Sequence, residues 1–167
     1  MKFFTFIIFN LLFLNVSALA AVDVTCRRDS CLNNGWIARD LRTGLNSHFI
    51  CEAGDCRDFG WREHINGRIN SVTRCLGHGC WETGWTTSAA FGPNHSTTYC
   101  LRNQEGIASC LTEGWETQYS NGMWSTTRCT NGSCEVNGWE TIVAGRVPEI
   151  VRCKLNSCFI YGWNLYQ

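Results

Sequence analysis

The chain has 167 residues, with 14 basic and 14 acidic side chains and 12 cysteines. A net charge near zero leaves no basic face for nucleic acid and makes no electrostatic case for an anionic membrane. An even dozen cysteines behind an apolar leader argues against a reducing compartment and for a disulfide framework.

In chain order, the leader comes first. Lys2 precedes a run from Phe3 to Leu14 made mostly of Phe, Ile and Leu, which gives way to Ala18-Leu19-Ala20, a small-x-small cleavage signal. Residues 1–20 therefore read as a secretory signal peptide and 21–167 as a single secreted domain. A membrane anchor would need about 20 apolar residues, and Asn10 and Asn15 interrupt this stretch. No later stretch is long enough to span. Without Lys2 there are 13 basic and 14 acidic side chains, and Lys154 is the only lysine beside 12 arginines. With eight Trp present, Arg–Trp stacking is expected on an exposed face.

From Cys26 onward one pattern recurs six times: Cys, spacer, Cys, three residues, Gly-Trp. The copies are Cys26/Cys31/Gly35-Trp36, Cys51/Cys56/Gly60-Trp61, Cys75/Cys80/Gly84-Trp85, Cys100/Cys110/Gly114-Trp115, Cys129/Cys134/Gly138-Trp139 and Cys153/Cys158/Gly162-Trp163. A period of about 24 residues decides the architecture before any local reading does. In the fourth copy, Gly-Trp-Glu-Thr-Gln-Tyr-Ser is followed by Asn121-Gly122 and then Met-Trp-Ser-Thr-Thr-Arg, a strand–turn–strand pattern. Asn66-Gly67 takes the matching place in the second copy and Gly44 in the first. The residue two after the Trp is Thr87, Thr117 or Thr141 in three copies, and the residue two before the first Cys is Val24, Phe49, Thr73, Thr98, Thr127 or Val151. Such positions favour strands. The Gly before each Trp marks a β-bulge or a close backbone approach. No segment holds an apolar 3.6-residue period over three turns, so helices are not expected.

The fold expected is all-β: six disulfide-clipped hairpins in an antiparallel meander of about 12 strands. The cysteines pair either locally (Cys26–Cys31, Cys51–Cys56, Cys75–Cys80, Cys100–Cys110, Cys129–Cys134, Cys153–Cys158) or offset across the hairpin, with Cys26 then meeting Cys158. Local pairing is preferred, because strand ends flanking a tight turn come within disulfide range. A metal site is not expected, since Cys-x4-Cys lacks the paired knuckles of zinc motifs, even at Cys75, His78 and Cys80. The chain starts and stops mid-repeat: one strand precedes Cys26 and one half-strand follows Trp163. Pairing of these ends would close the array and remove its exposed edges; the alternative is an open hairpin array. The Gly-Trp hairpin resembles the choline-binding hairpin repeats of bacterial surface proteins in that dipeptide and in approximate period. Those arrays do not rest on paired cysteines, so no ligand residue is carried across.

No catalytic signature is present: no Gly-x-Ser-x-Gly elbow, no His-Glu-x-x-His, no phosphate loop. Neither enzyme activity nor a cofactor is expected. The repeated Trp36, Trp61, Trp85, Trp115, Trp139 and Trp163 read as a shared core or, alternatively, as sugar platforms. Trp81 and Trp124 stand off the pattern and are the candidate contact residues, with Arg102 and Glu105 in the enlarged cysteine loop from Leu101 to Ser109. Phe91-Gly92-Pro93-Asn94-His95 is a second irregular loop, and Asn94 and Asn131 fit the N-glycosylation sequon. The expected function is a secreted, lectin-like binding module for an extracellular glycan or glycoprotein surface, its repetition giving several similar shallow sites. Alternatives are a structural or interaction protein of a matrix or coat, with possible self-association, and a protease inhibitor using the 101–109 loop.

Overall fold

The computed structural model describes residues 20–167. The signal-peptide reading falls, apart from Ala20, outside the described residues. Twelve strands form one closed antiparallel barrel in simple meander order. They are β1 (Ala20–Cys26), β2 (Trp36–Asp40), β3 (Asn46–Cys51), β4 (Trp61–Ile65), β5 (Arg68–Cys75), β6 (Gly84–Ala89), β7 (His95–Cys100), β8 (Trp115–Tyr119), β9 (Trp124–Cys129), β10 (Trp139–Val143), β11 (Glu149–Cys153) and β12 (Trp163–Tyr166). The two chain ends supply the last pair, with Val24 opposite Trp163 and Ala20 opposite Tyr166. No sheet edge is left among the described strands, so no strand offers a template for further pairing. No described helix is long and apolar enough to cross a membrane.

The meander sorts its connections to opposite ends. Five hairpin turns lie at one end and the cysteine connections at the other. At the clip end each disulfide is local, bridging Cα atoms 4.4–4.6 Å apart. Four of these connections hold a single helical turn that the sequence period gave no reason to expect: α1 (Cys31–Asn34), α2 (Cys80–Thr83), α3 (Cys134–Asn137) and α4 (Cys158–Tyr161). Each is one turn long, too short for a hydrophobic period to show. The N–H of a second cysteine also donates to the preceding repeat: Cys56 to the Leu32 carbonyl, Cys80 to Arg57, Cys110 to Trp81 and Cys134 to Leu111, at 2.7–2.8 Å. Neighbouring clips are thus tied to one another as well as closed on themselves.

The glycine before each Trp makes a close backbone approach, not a bulge. All six have positive φ, from 76° to 104°. A Cβ there would lie 1.9–2.2 Å from a carbonyl oxygen of the adjacent strand, for example 2.1 Å from that of Thr127 at Gly114. The carbonyl of the same glycine accepts a hydrogen bond from the residue after the first cysteine of its own repeat, as in Leu101 N–H to the Gly114 carbonyl at 2.9 Å. At the hairpin end, Asn66 (φ 51°) and Gly67 (φ 76°) form the two-residue turn that needs positive φ at both positions.

Cross-strand partners share a face, so the register places each repeat Trp, its opposite Cys and the residue two before that Cys on the lumen side. Val24, Thr73, Thr98, Thr127 and Val151 on this face are all 3% exposed or less. Lys154 reinforces the seam where the ring closes. Its ammonium donates to the Val24 carbonyl at 2.8 Å and pairs with Asp23 at 2.5 Å. Gly114→Ala should lower stability by at least ~2 kcal/mol, from the left-handed backbone conformation together with the clash with the Thr127 carbonyl. Gly106→Ala, with open space around its Cβ, should cost less; thermal unfolding of the two variants measures the difference.

Candidate functional site

The lumen is built in layers. Nearest the clip end, the six repeat Trp form a continuous ring, each indole packed on the next at centroid distances of 5.3–6.0 Å and interplanar angles of 50–60°. Phe49 stacks on Trp36 at 4.8 Å. The ring is plugged from the clip end by the residue that follows a second cysteine: Leu32, Trp81 and Phe159, each 9% exposed or less. Trp81 packs on Trp61, Trp85, Trp115 and Phe159. The eight rings enclose a wholly apolar space of about 80 Å³. Trp81 is therefore not a surface contact residue. It sits at a repeat position after all, the one Leu32 and Phe159 share, and the barrel needs its bulk there. Its Nε1–H is the one buried side-chain donor among the described residues without a partner.

The next layer is split. Val24, Ala38, Phe49, Val151 and Leu165 make one side apolar, whereas hydroxyls line the other. Thr73 and Thr87 are joined Oγ1 to Oγ1 at 2.8 Å, Thr98 and Thr117 at 2.9 Å, Thr127 and Thr141 at 2.8 Å. Each pair spans adjacent strands, so the Thr recurrence in the sequence is a row of cross-strand hydroxyl pairs in which one hydroxyl donates to the other.

Above the hydroxyl side, at the hairpin end, the lumen opens into a recess of about 470 Å³. Glu63, Ser71, Thr87, Ser96 and Tyr119 line it from the strands, and Asn94, His95 and Asn121 from the rim. Glu63 stands where three other copies carry Thr87, Thr117 and Thr141, two residues past the Trp. A β-bulge holds it: the pairing slips between Glu63 and His64, so Asn70 and Ser71 both face one residue. Asn70 Nδ2 and Ser71 Oγ donate to the same carboxylate oxygen, Glu63 Oε2, at 2.7 and 3.0 Å. The Tyr119 hydroxyl lies 3.3 Å from Ser125 Oγ, which fixes the ring at the recess wall.

The four candidate contact residues are not brought together. Trp124 is half exposed on the outer wall near the hairpin end, in register with Gln118. Arg102 and Glu105 lie at the opposite, clip end. The Leu101–Ser109 loop there is itself a small hairpin, with an Arg102–Ala108 bridge and Arg102 Nη1 donating to the Gly106 carbonyl at 2.6 Å. Asn94 and Asn131 are both exposed, Asn94 on the rim of the recess. The expected Arg–Trp stacking on an exposed face is not found among the described residues: the cation–π contact is Arg152 over Tyr166 at 5.7 Å, because the repeat Trp rings point inward. Among the described residues no three His, Cys, Asp or Glu side chains gather as a metal site. Sequence reasoning passed over Glu63, Asn70 and Tyr119. The departure from Thr at position 63 was the available signal.

Comparison with protein-family models, curated proteins and solved structures finds no match to this chain. Trp81→Ala should cost ~3–5 kcal/mol by opening the plug, while Trp81→Phe, which also removes the unpaired N–H, should cost far less. Trp124→Ala should stay within about 0.5 kcal/mol; chemical denaturation of the three variants measures the ranking.

Proposed function

We propose that this is a secreted binding module whose hairpin-end recess takes a polyhydroxylated ligand, a saccharide on an extracellular glycan or glycoprotein surface. The observation that carries the reading is the recess lining. Hydroxyls, side-chain amides, one carboxylate and one tyrosine converge on a cavity of about 470 Å³, large enough for a small sugar. Hydroxyl and amide groups act as both donors and acceptors, matching sugar hydroxyls, and an aromatic wall matches the apolar face of a pyranose. The Glu63 bulge favours a binding role for the recess, because the barrel closes in the other copies without a carboxylate at this position. Six disulfides fit an extracellular setting. With the repeat Trp turned into the lumen, the site proposed is the hairpin-end recess. Asn94 and Asn131 are the proposed glycan acceptors. The test is a glycan array with the purified protein. Binding to a saccharide set, weakened about tenfold by Tyr119→Ala and unchanged by Trp124→Ala, supports the recess. No binding at high glycan density overturns it.

One observation favours interaction with another protein surface as a second reading. Four of the five hairpin turns carry large apolar residues that are exposed: Leu41 and Leu45, Phe91, Met123 and Val147. A ring of such residues at one end marks an association surface. This reading predicts concentration-dependent self-association in sedimentation velocity that Phe91→Ser with Val147→Ser reduces and that saccharide does not. A monomer at all concentrations removes self-association.

A further inference from the structure

Among the described residues, Glu63 is the single carboxylate on the recess wall, and the lining beside it holds His95 on the rim but no lysine or arginine. The ion pairs among the described residues are Arg62 with Glu52 and Lys154 with Asp23, both elsewhere. Both hydrogen bonds from Asn70 and Ser71 go to Oε2, which leaves Oε1 without a donor among the described residues. The carboxylate is thus held in a fixed orientation while one oxygen stays unengaged. The fold does not demand the charge. At the same repeat position Ala38, Thr87, Thr117, Thr141 and Leu165 serve the barrel equally well. The bulge at Asn70 adds a second donor to hold a group that a threonine would have made unnecessary.

From this geometry we infer that the ligand carries an ammonium group, and that the recess selects an amino sugar with a free amine seated against Glu63 Oε1. The inference rests on the saccharide reading above and narrows it. A neutral hydroxyl could be met by Ser71, Thr87, Ser96 or Tyr119 without any carboxylate. A hydrogen bond from an ammonium to a carboxylate is about twice as strong as one between neutral groups. It also supplies the counter-charge the wall lacks, in a recess partly screened from water. The hydroxyls around it then meet the remaining sugar hydroxyls. A calcium ion fits less well, since it asks for about six to eight oxygen ligands with several carboxylates, and only one is present here.

The experiment is titration calorimetry of the protein with three probes: a glucosamine trisaccharide, its N-acetylated counterpart and a glucose trisaccharide. The amine-bearing probe is expected to bind at least about tenfold more tightly than the other two. Raising the pH until the amine is neutral should abolish that advantage. Glu63→Gln keeps an oxygen to accept from Asn70 and Ser71, and should bring the affinity for the amine-bearing probe down to about that of the acetylated one. Near-ultraviolet circular dichroism of the Trp ring verifies that the variant is folded. Equal affinity for amine and neutral probes would overturn the amino-sugar inference and leave the saccharide reading standing. No binding of any probe at any concentration would count against both. Calcium displacing the amine at low concentration would reassign Glu63 to a metal and also overturn the inference.

Discussion

The structure depends on one backbone contact repeated around the ring: the α-carbon of a glycine set against the carbonyl oxygen of the next strand. With a side chain at that position, the two strands could not approach at that point. The carbonyl of the same glycine receives the N–H that follows its own repeat's first cysteine, which closes the clip connection on itself. The close approach also sets the direction of the following Trp, whose ring turns inward rather than across the outer surface. Clip, glycine and indole are therefore one device. Its sixfold use converts a small geometric constraint into a closed barrel.

That device explains why a core so poor in large aliphatic residues is sufficient. Aromatic pairs in edge-to-face or tilted contact add roughly 0.5–1.5 kcal/mol beyond the area they bury, and the Trp ring has a neighbour on both sides of every member. Three plug residues close the ring from below. The middle layer then needs little apolar bulk, and threonine hydroxyls can occupy it because each has a cross-strand hydroxyl partner. The disulfides act at the end where the chain changes direction most sharply. The Lys154 contacts act at the seam, where the ring is closed by strands far apart in sequence rather than by a hairpin.

How much of this was legible follows from what repeats. The hairpin unit, the strand count and the joining of the ends could be read because each rests on spacing that recurs six times, or on its interruption at Cys26 and Trp163. Local cysteine pairing could be preferred on distance but not fixed, since offset pairing fits the same period. Trp81 was misplaced because the residue after the second cysteine is Leu32, Arg57, Trp81, Leu111, Glu135 and Phe159. Leu32, Trp81 and Phe159 are buried there and Leu111 packs partly against the core, whereas Arg57 and Glu135 are exposed, so no single residue type marks the position. The recess was missed for a different reason. A β-bulge is a slip of one residue in pairing, and only the register shows that Asn70 and Ser71 face the same carboxylate.

The split between what repeats and what does not also orders the molecule along its axis. The clip end is nearly invariant from copy to copy and is filled: disulfides, glycine contacts, indole ring and plug leave only a small apolar space. Toward the hairpin end the copies diverge. The turns differ in length, the lumen face changes from valine, alanine and leucine on one side to serine and threonine on the other, and the ring symmetry is lost. A symmetric interior at that level would present the same group from every strand and could favour no orientation of a ligand. Breaking it at Glu63, with the bulge opposite and Tyr119 on the neighbouring wall, gives the recess a defined charged side and a defined aromatic side. The repeat makes a rigid frame, and the single departure from it makes that frame able to discriminate.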